Sequence, residues 1–196
     1  MDFDPAALSP RDAYRLMISC IIPRPIAFVT TLSRDGATNL APFSFFNGVS
    51  SDPPVVSIAV ASKKDGSRKD TWRNIEETGE YVINVVVPEL MDAVIVGAKE
   101  LPHGVSELEM SGLKTLPSTK VKPPRLEASP INLECTLLRI VEVEGTALIL
   151  GRVVMIHAKD EIVDGGRVDP RRLTFVGRLG DDLYCRVNDL FERKRT

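Results

Sequence analysis

This sequence is poor in the residues that most often do chemistry by themselves. It has two histidines, His103 and His157, and three cysteines, Cys20, Cys135 and Cys185, with neither a CxxC pair nor an HExxH. A metal centre would lack ligands at usable spacing, so none is expected. The odd cysteine count, each thiol set among apolar neighbours, suits buried free thiols in a reducing compartment. There is no GxSxG nucleophile elbow, no GxxxxGK[ST] loop and no GxGxxG after a first strand. Serine hydrolases, nucleotide hydrolases and Rossmann dehydrogenases therefore lose their main support.

Charge of one sign is missing too: 25 Lys+Arg stand against 27 Asp+Glu, a net charge of −2. The only compact basic block is the terminal ERKRT, so nucleic acid is not an expected partner. Apolar runs such as YVINVVV and ALIL stop far short of the ~20 residues that span a bilayer, and no membrane association is expected. The start, MDFDPAALSPRD, lacks the basic opening and apolar segment of a signal peptide, so the cytoplasm is the expected location.

What is present fits one globular domain over residues 1–196, at 43% apolar and 27% charged. Ser9 and Pro10 signal a helix start, with Tyr14, Met17 and Ile21 at helical spacing. PIAFVTTL and ATNLAPFSFF then read as two strands turned at Asp35 and Gly36. Residues 53–61 and 81–87 read as two more strands around a short helix, TWRNIEET, which Gly79 ends and Asp70 is placed to cap. PELMDAVIVGAK reads as a helix. Residues 101–130, with five prolines, read as a long surface excursion, either a functional or interface arm or a solvated insertion. Two long β-rich runs around Glu144 and Gly145 follow, then RRLTFVG and DLYCRV. Seven or so strands with few helices predict a closed or nearly closed antiparallel barrel, since open edges of that length would invite aggregation.

Three segments carry chemical interest. PRPIAFVTT holds the backbone around Arg24 between two prolines. In NLAPFSFFN, Ser44 and Asn47 interrupt an apolar strand end with Phe45 and Phe46, either as core aromatics beside a polar turn or as the wall of a pocket for a flat, polar-edged ligand. GSRKDTWRN brings Ser67, Arg68, Lys69 and Thr71 to a helix start whose free N–H groups favour an anion. A phosphate would fit there, although an ordinary solvated capping region has the same composition.

Taken in order, PRPIAFVTT, DGATNLAPFSFFN, SSDPPVVSIAV, DGSRKDTWRNI and GEYVINVV resemble the flavin reductase-like family with the FMN-binding split-barrel fold. LGRVVMIHAKDEIVDG and VGRLGDDLYCR are similar to its closing segments, so the likeness runs over residues 15–188. It implies a mainly β, antiparallel Greek-key split β-barrel with a few short helices, forming a homodimer with FMN at two interface sites. It also implies hydride transfer from NADH or NADPH to FMN, with a separate monooxygenase as one receiver of the reduced flavin. A flavin-binding carrier or electron-transfer protein without turnover shares the same motifs.

Position by position, the resemblance puts Arg24, Pro25 and Thr30 along the flavin edge, and Ser44, Phe45, Phe46 and Asn47 at the ring and ribityl chain. Ser67, Lys69 and Thr71 fall on the phosphate, and Arg178 belongs to the closing signature. That signature resembles RLGGxxY, with Asp181 here in place of the second glycine. His157, on a long strand, is either a satisfied structural histidine or a residue that orients the nicotinamide. Hydride transfer itself needs no protein nucleophile.

Overall fold

A computed structural model describes residues 1–99 and 105–194. Helix α1 (Pro10–Cys20) starts as expected, the Ser9 hydroxyl accepting the Asp12 N–H at 3.1 Å. Strand β1 (Arg24–Pro25) follows, and β2 (Ala27–Leu32) and β3 (Thr38–Phe43) form the first hairpin. Strand β4 (Phe46–Ser51), which the apolar patterning does not reveal, pairs with β5 (Pro54–Ala61). Helix α2 (Asp70–Thr78) ends at Gly79 with φ 74°, the left-handed stop that glycine adopts freely. Its cap is Lys69 rather than Asp70, which already lies in the first turn.

Strand β6 (Glu80–Val85), helices α3 (Met91–Gly97) and α4 (Glu107–Ser111), and the two-residue strands β7 (Thr115–Leu116) and β8 (Arg125–Leu126) come next. The long hairpin of β9 (Ile131–Val143) and β10 (Thr146–Ala158) turns at Glu144 and Gly145, both at positive φ. A small hairpin, β11 (Val163–Asp164) with β12 (Arg167–Val168), precedes β13 (Phe175–Arg178) and β14 (Tyr184–Val187).

Seven strands form one antiparallel sheet in the order β3-β2-β6-β9-β10-β5-β4. Its two outermost strands, β3 and β4, are separated in sequence by Ser44 and Phe45 alone. So short a link cannot span an open seven-stranded sheet, and the sheet must curl until its edges meet. The linking residue Phe45 continues the β4–β5 pairing, its carbonyl accepting the Ala59 N–H of β5 at 2.9 Å. The mainly β split barrel expected from the sequence is the observed architecture. A second sheet, β1-β13-β14, sets Arg24 opposite Arg178 and Pro25 opposite Gly177.

Strand alternation gives two cores. Ala27, Val29, Ile58, Ile83 and Ile149 fill the barrel with Trp72 and Ile75 of α2. Phe28 and Leu40 face outward into a second cluster with Val94 of α3, Leu108 of α4 and Leu126. The surface excursion expected over residues 101–130 is therefore corrected. Residues 101–104, with His103, lie outside the described residues, but Glu107, Leu108, Val121, Leu126 and Ser129 are buried. Buried polar groups anchor this segment: Asn84 Oδ1 accepts from the Leu126 N–H and the Asn132 amide, each at 2.9 Å, and Thr30 donates to the Pro124 carbonyl at 2.6 Å.

Candidate functional site

The hairpin end of β3, the start of α2, and α1 with α3 leave a two-lobed groove. A narrow lobe of about 200 Å3 is lined by Asn39, Lys63, Lys69, Asp70, Thr71 and Glu107. A wider lobe of about 510 Å3 has Tyr14, Arg24, Ser44, Arg178, Asp182 and Tyr184 on its walls. Pro42 and Ala98 belong to both, so the lobes are continuous. Their sizes suit a cofactor-sized ligand, for which sites of ~300–1,000 Å3 are usual.

The narrow lobe sets three lysines, Lys63, Lys69 and Lys99, beside a helix start, with Asp70 and Glu107 as its acids. Lys69 occupies the cap of α2 and offers no side-chain acceptor to the first-turn N–H groups, leaving the positive end of the helix facing the lobe. Lys63 adds a second ammonium, paired with Asp70 at 3.2 Å, and the hydrogen bonds Lys63 N–H to Ser67 O (2.7 Å) and Gly66 N–H to Lys63 O (2.9 Å) fold the preceding loop. Thr71 is almost wholly buried, its hydroxyl 2.9 Å from the Asn39 amide.

In the wide lobe the Arg24 guanidinium donates to the Ile18 and Ile21 carbonyls at 2.5 and 2.7 Å, to the Leu179 carbonyl at 2.7 Å and to Ser44 Oγ at 3.3 Å. It thus satisfies carbonyls at the end of α1 while holding a buried positive charge against the lobe. Burial lowers its pKa, but an arginine stays cationic. Arg178 stacks on Tyr184 at 4.4 Å and donates to the Asp181 carbonyl. Asp181 takes φ 47°, a conformation Asp tolerates better than most residues, and its carboxylate meets Arg15 at 2.9 Å.

The expected site residues divide accordingly. Arg24, Ser44 and Arg178 share the wide lobe, and Lys69 and Thr71 share the narrow one. Thr30 is corrected: it is fully buried, with its hydroxyl spent on Pro124, and has no access to a flavin edge. Ser67 is also corrected, because it is exposed outside the lobe and donates at 2.6 Å to Asp65, a carboxylate that would repel a phosphate. Arg68 stacks on Trp72 and pairs with Glu76 and Glu142. Pro25 and Phe46 line a third, mostly apolar hollow of about 310 Å3 that meets the wide lobe at Arg24 and Ile26. Phe45 is partly exposed under Arg24, and Asn47 is exposed on β4, accepting its neighbour's N–H at 2.8 Å. Neither lines the groove.

His157 is the largest departure. Its Nε2 lies 2.6 Å from the buried Glu134 carboxylate, which also accepts N–H bonds from Thr119 (2.7 Å), Lys120 (2.6 Å) and Val121 (3.2 Å). It borders a hollow with Arg125, Asn132 and Lys159 that shares no residue with the groove. It thus has a buried carboxylate partner and lines neither lobe of the groove. Sequence reasoning missed Lys63, Asn39 and Glu107. Asn39 stands inside the NLAPFSFFN motif and Lys63 in the polar loop before α2, whereas nothing local marks Glu107.

Fold and groove together define a split-barrel protein with a two-lobed groove whose narrow end gathers lysines at a helix start. The family model for the flavin reductase like domain matches residues 18–176, and the chain belongs to that family. It is 39% identical over 201 residues to the protein BH2278 of Halalkalibacterium halodurans, covering 100% of this chain and 96% of that one. Among solved structures it is similar to nitrilotriacetate monooxygenase component B from Bacillus cereus (34% identity, 98% of both chains, TM-score 0.93). It is also similar to Pseudomonas fluorescens 2-nitrobenzoate 2-nitroreductase NbaA (31% identity, 100% of this chain and 96% of that one, TM-score 0.92). The family makes this a flavin-linked oxidoreductase with a flavin as its cofactor.

Proposed function

We propose that the protein is an NAD(P)H-dependent FMN reductase that passes hydride from a nicotinamide to FMN. The observation that carries this reading is the continuity of the two lobes, an anion-binding end joined to a wider, arginine-flanked end. Lys63, Lys69, Thr71 and the start of α2 would hold the phosphate. Ser44, Arg24, Arg178 and Tyr184 would border the ring. When bound, the flavin supplies an electron-accepting ring that takes hydride and passes electrons on. The protein contributes placement and field: Arg24 keeps its charge in a buried setting, which favours an electron-rich neighbour. The likeness to a monooxygenase component B supports a role in supplying reduced flavin to an oxygenase partner.

The test is anaerobic addition of NADH and of NADPH to the flavin-loaded protein. Bleaching of the flavin band with either donor is expected; a yellow protein that stays oxidised with both would instead be a carrier. Lys69→Ala should weaken FMN about tenfold or more while leaving riboflavin nearly unchanged, since a charge-assisted bond to the phosphate contributes about 1.5–3 kcal/mol. Equal losses for both flavins in a titration would place the phosphate elsewhere.

A further inference from the structure

Glu107 is, with Asp70, one of two acids in a lobe that also gathers three lysines. It is 93% buried by fractional exposure of 7%, lies on α4 and lines the narrow lobe. Its Oε2 lies 3.3 Å from the Leu40 N–H and 3.3 Å from one terminal atom of the Asn39 amide. The other end of that amide lies 2.9 Å from Thr71 Oγ1 and 3.3 Å from the Leu40 N–H, which favours the amide oxygen there while Glu107 is ionised. Carboxyl, amide and hydroxyl thus form a chain of three that ends at the lobe.

An amide has a donor end and an acceptor end, so this chain has two consistent directions. With Glu107 ionised, its carboxylate accepts the Asn39 N–H, the Asn39 oxygen accepts the Thr71 O–H, and Thr71 has only lone pairs left for the lobe. With Glu107 protonated, its O–H donates to the Asn39 oxygen, the Asn39 N–H donates to Thr71 Oγ1, and the Thr71 proton is free to donate into the lobe. We propose that Glu107 and Asn39 are positioning residues that set the donor or acceptor character of Thr71, so that binding of a phosphate there takes up a proton from solvent onto Glu107. This rests on the narrow lobe being the phosphate end.

The surroundings act on this carboxyl in opposing directions. Burial pushes the Glu107 carboxyl up and Asp70 adds to that, while its own backbone N–H, that of Leu40 and the charge of Lys63 pull it back, with a net rise. Lys69 and Lys99 also line the lobe; β3 brings no charged side chain, and Asp92 of α3 and Glu109 of α4 are exposed and do not line it. A phosphate rich in acceptor oxygens interacts favourably with the donor form alone, so it must draw the equilibrium toward protonation.

Calorimetric titration of FMN and riboflavin in buffers of different ionisation enthalpy, from about pH 5 to 9, tests this on wild type, Glu107→Gln and Thr71→Val. The phosphate's own ionisation near pH ~6 is common to all three proteins and cancels in the comparison. Wild type is expected to take up more proton on FMN binding than Glu107→Gln, and its preference for FMN over riboflavin should fall about tenfold or more, relative to that variant, as Glu107 ionises. Thr71→Val should lose the same pH dependence with Glu107 intact, an effect that mere damage to packing at Glu107 would not reproduce. Identical proton counts and pH profiles in wild type and Glu107→Gln, with the FMN preference still dependent on Lys69, would overturn the relay alone. Equal binding of the two flavins at every pH would overturn the relay and the phosphate assignment together.

Discussion

At the scale of single residues, close packing fixes choices that the motifs do not explain. Gly151 sits in the middle of β10, where glycine ordinarily weakens a strand. A Cβ there would lie 1.8 Å from the Tyr81 hydroxyl oxygen and 2.6 Å from its Cζ. Tyr81 is fully buried and cannot retreat. Gly151→Ala should therefore destabilise the fold by about 1–3 kcal/mol, the usual range for overpacking, and lower Tm by several degrees in calorimetry. An unchanged melting temperature would mean that the ring moves aside. Beside it, burial pushes the Cys135 thiol up to about 12. Little thiolate exists near neutrality, so Cys135 should resist iodoacetamide in the native protein and react once unfolded, as mass spectrometry of the labelled peptide would show.

At the scale of elements, Glu134 of β9 does the work that the residue 101–130 segment needs. Its carboxylate gathers three N–H groups of residues 119–121 and the His157 ring of β10. Burial by itself would raise its pKa, but the Thr119 and Lys120 N–H groups and His157 outweigh burial and hold the carboxyl below its usual value. A group depressed in the folded state stabilises fully above its unfolded pKa, ~4.3, and loses that contribution as pH falls through the lower folded value. Acid unfolding of wild type should thus steepen below about pH 4, and Glu134→Gln should flatten that part of the profile while being less stable at neutrality.

His157→Ala belongs with this element. We expect a loss of about 1–3 kcal/mol for the partner left unpaired and an unaltered rate of flavin reduction per folded molecule. Stopped-flow reduction beside a melting curve checks it; a slower rate with intact stability would return His157 to the donor site.

For the whole molecule, α1 and the residues after it carry one part of the exposed apolar surface. Tyr14, Met17, Ile21 and Ile22, on and just beyond α1, are each between 43% and 53% exposed, and Val49 is exposed on the edge strand β4. Apolar side chains of one helix left facing outward mark an interface. We propose a second copy of the chain as its cover. Light scattering is expected to give about twice 21.6 kDa, and Met17→Glu with Ile21→Glu should return the mass toward a single chain. A monomeric wild type would refute this.

The sequence by itself determined the longer strands and helices other than β4 and the elements of residues 105–130, the caps at Ser9 and Gly79, the Glu144-Gly145 turn and the family motifs, because each rests on periodicity or on conformations that a few residue types favour. It also marked Lys69 and Thr71 by their place at a helix start. Tertiary structure alone decided which motif residues meet. Closure of the sheet across Ser44 and Phe45 puts Ser44 in the groove and Asn47 outside it, and a two-residue turn has no local sign of that difference. An Asx turn turns Ser67 away from the lobe that its neighbours line. Glu107 reaches that lobe, and Glu134 reaches residues 119–121, only through packing of segments distant along the chain. A buried carboxylate is legible in sequence when its partners lie within a turn or two, and both of these find theirs farther away.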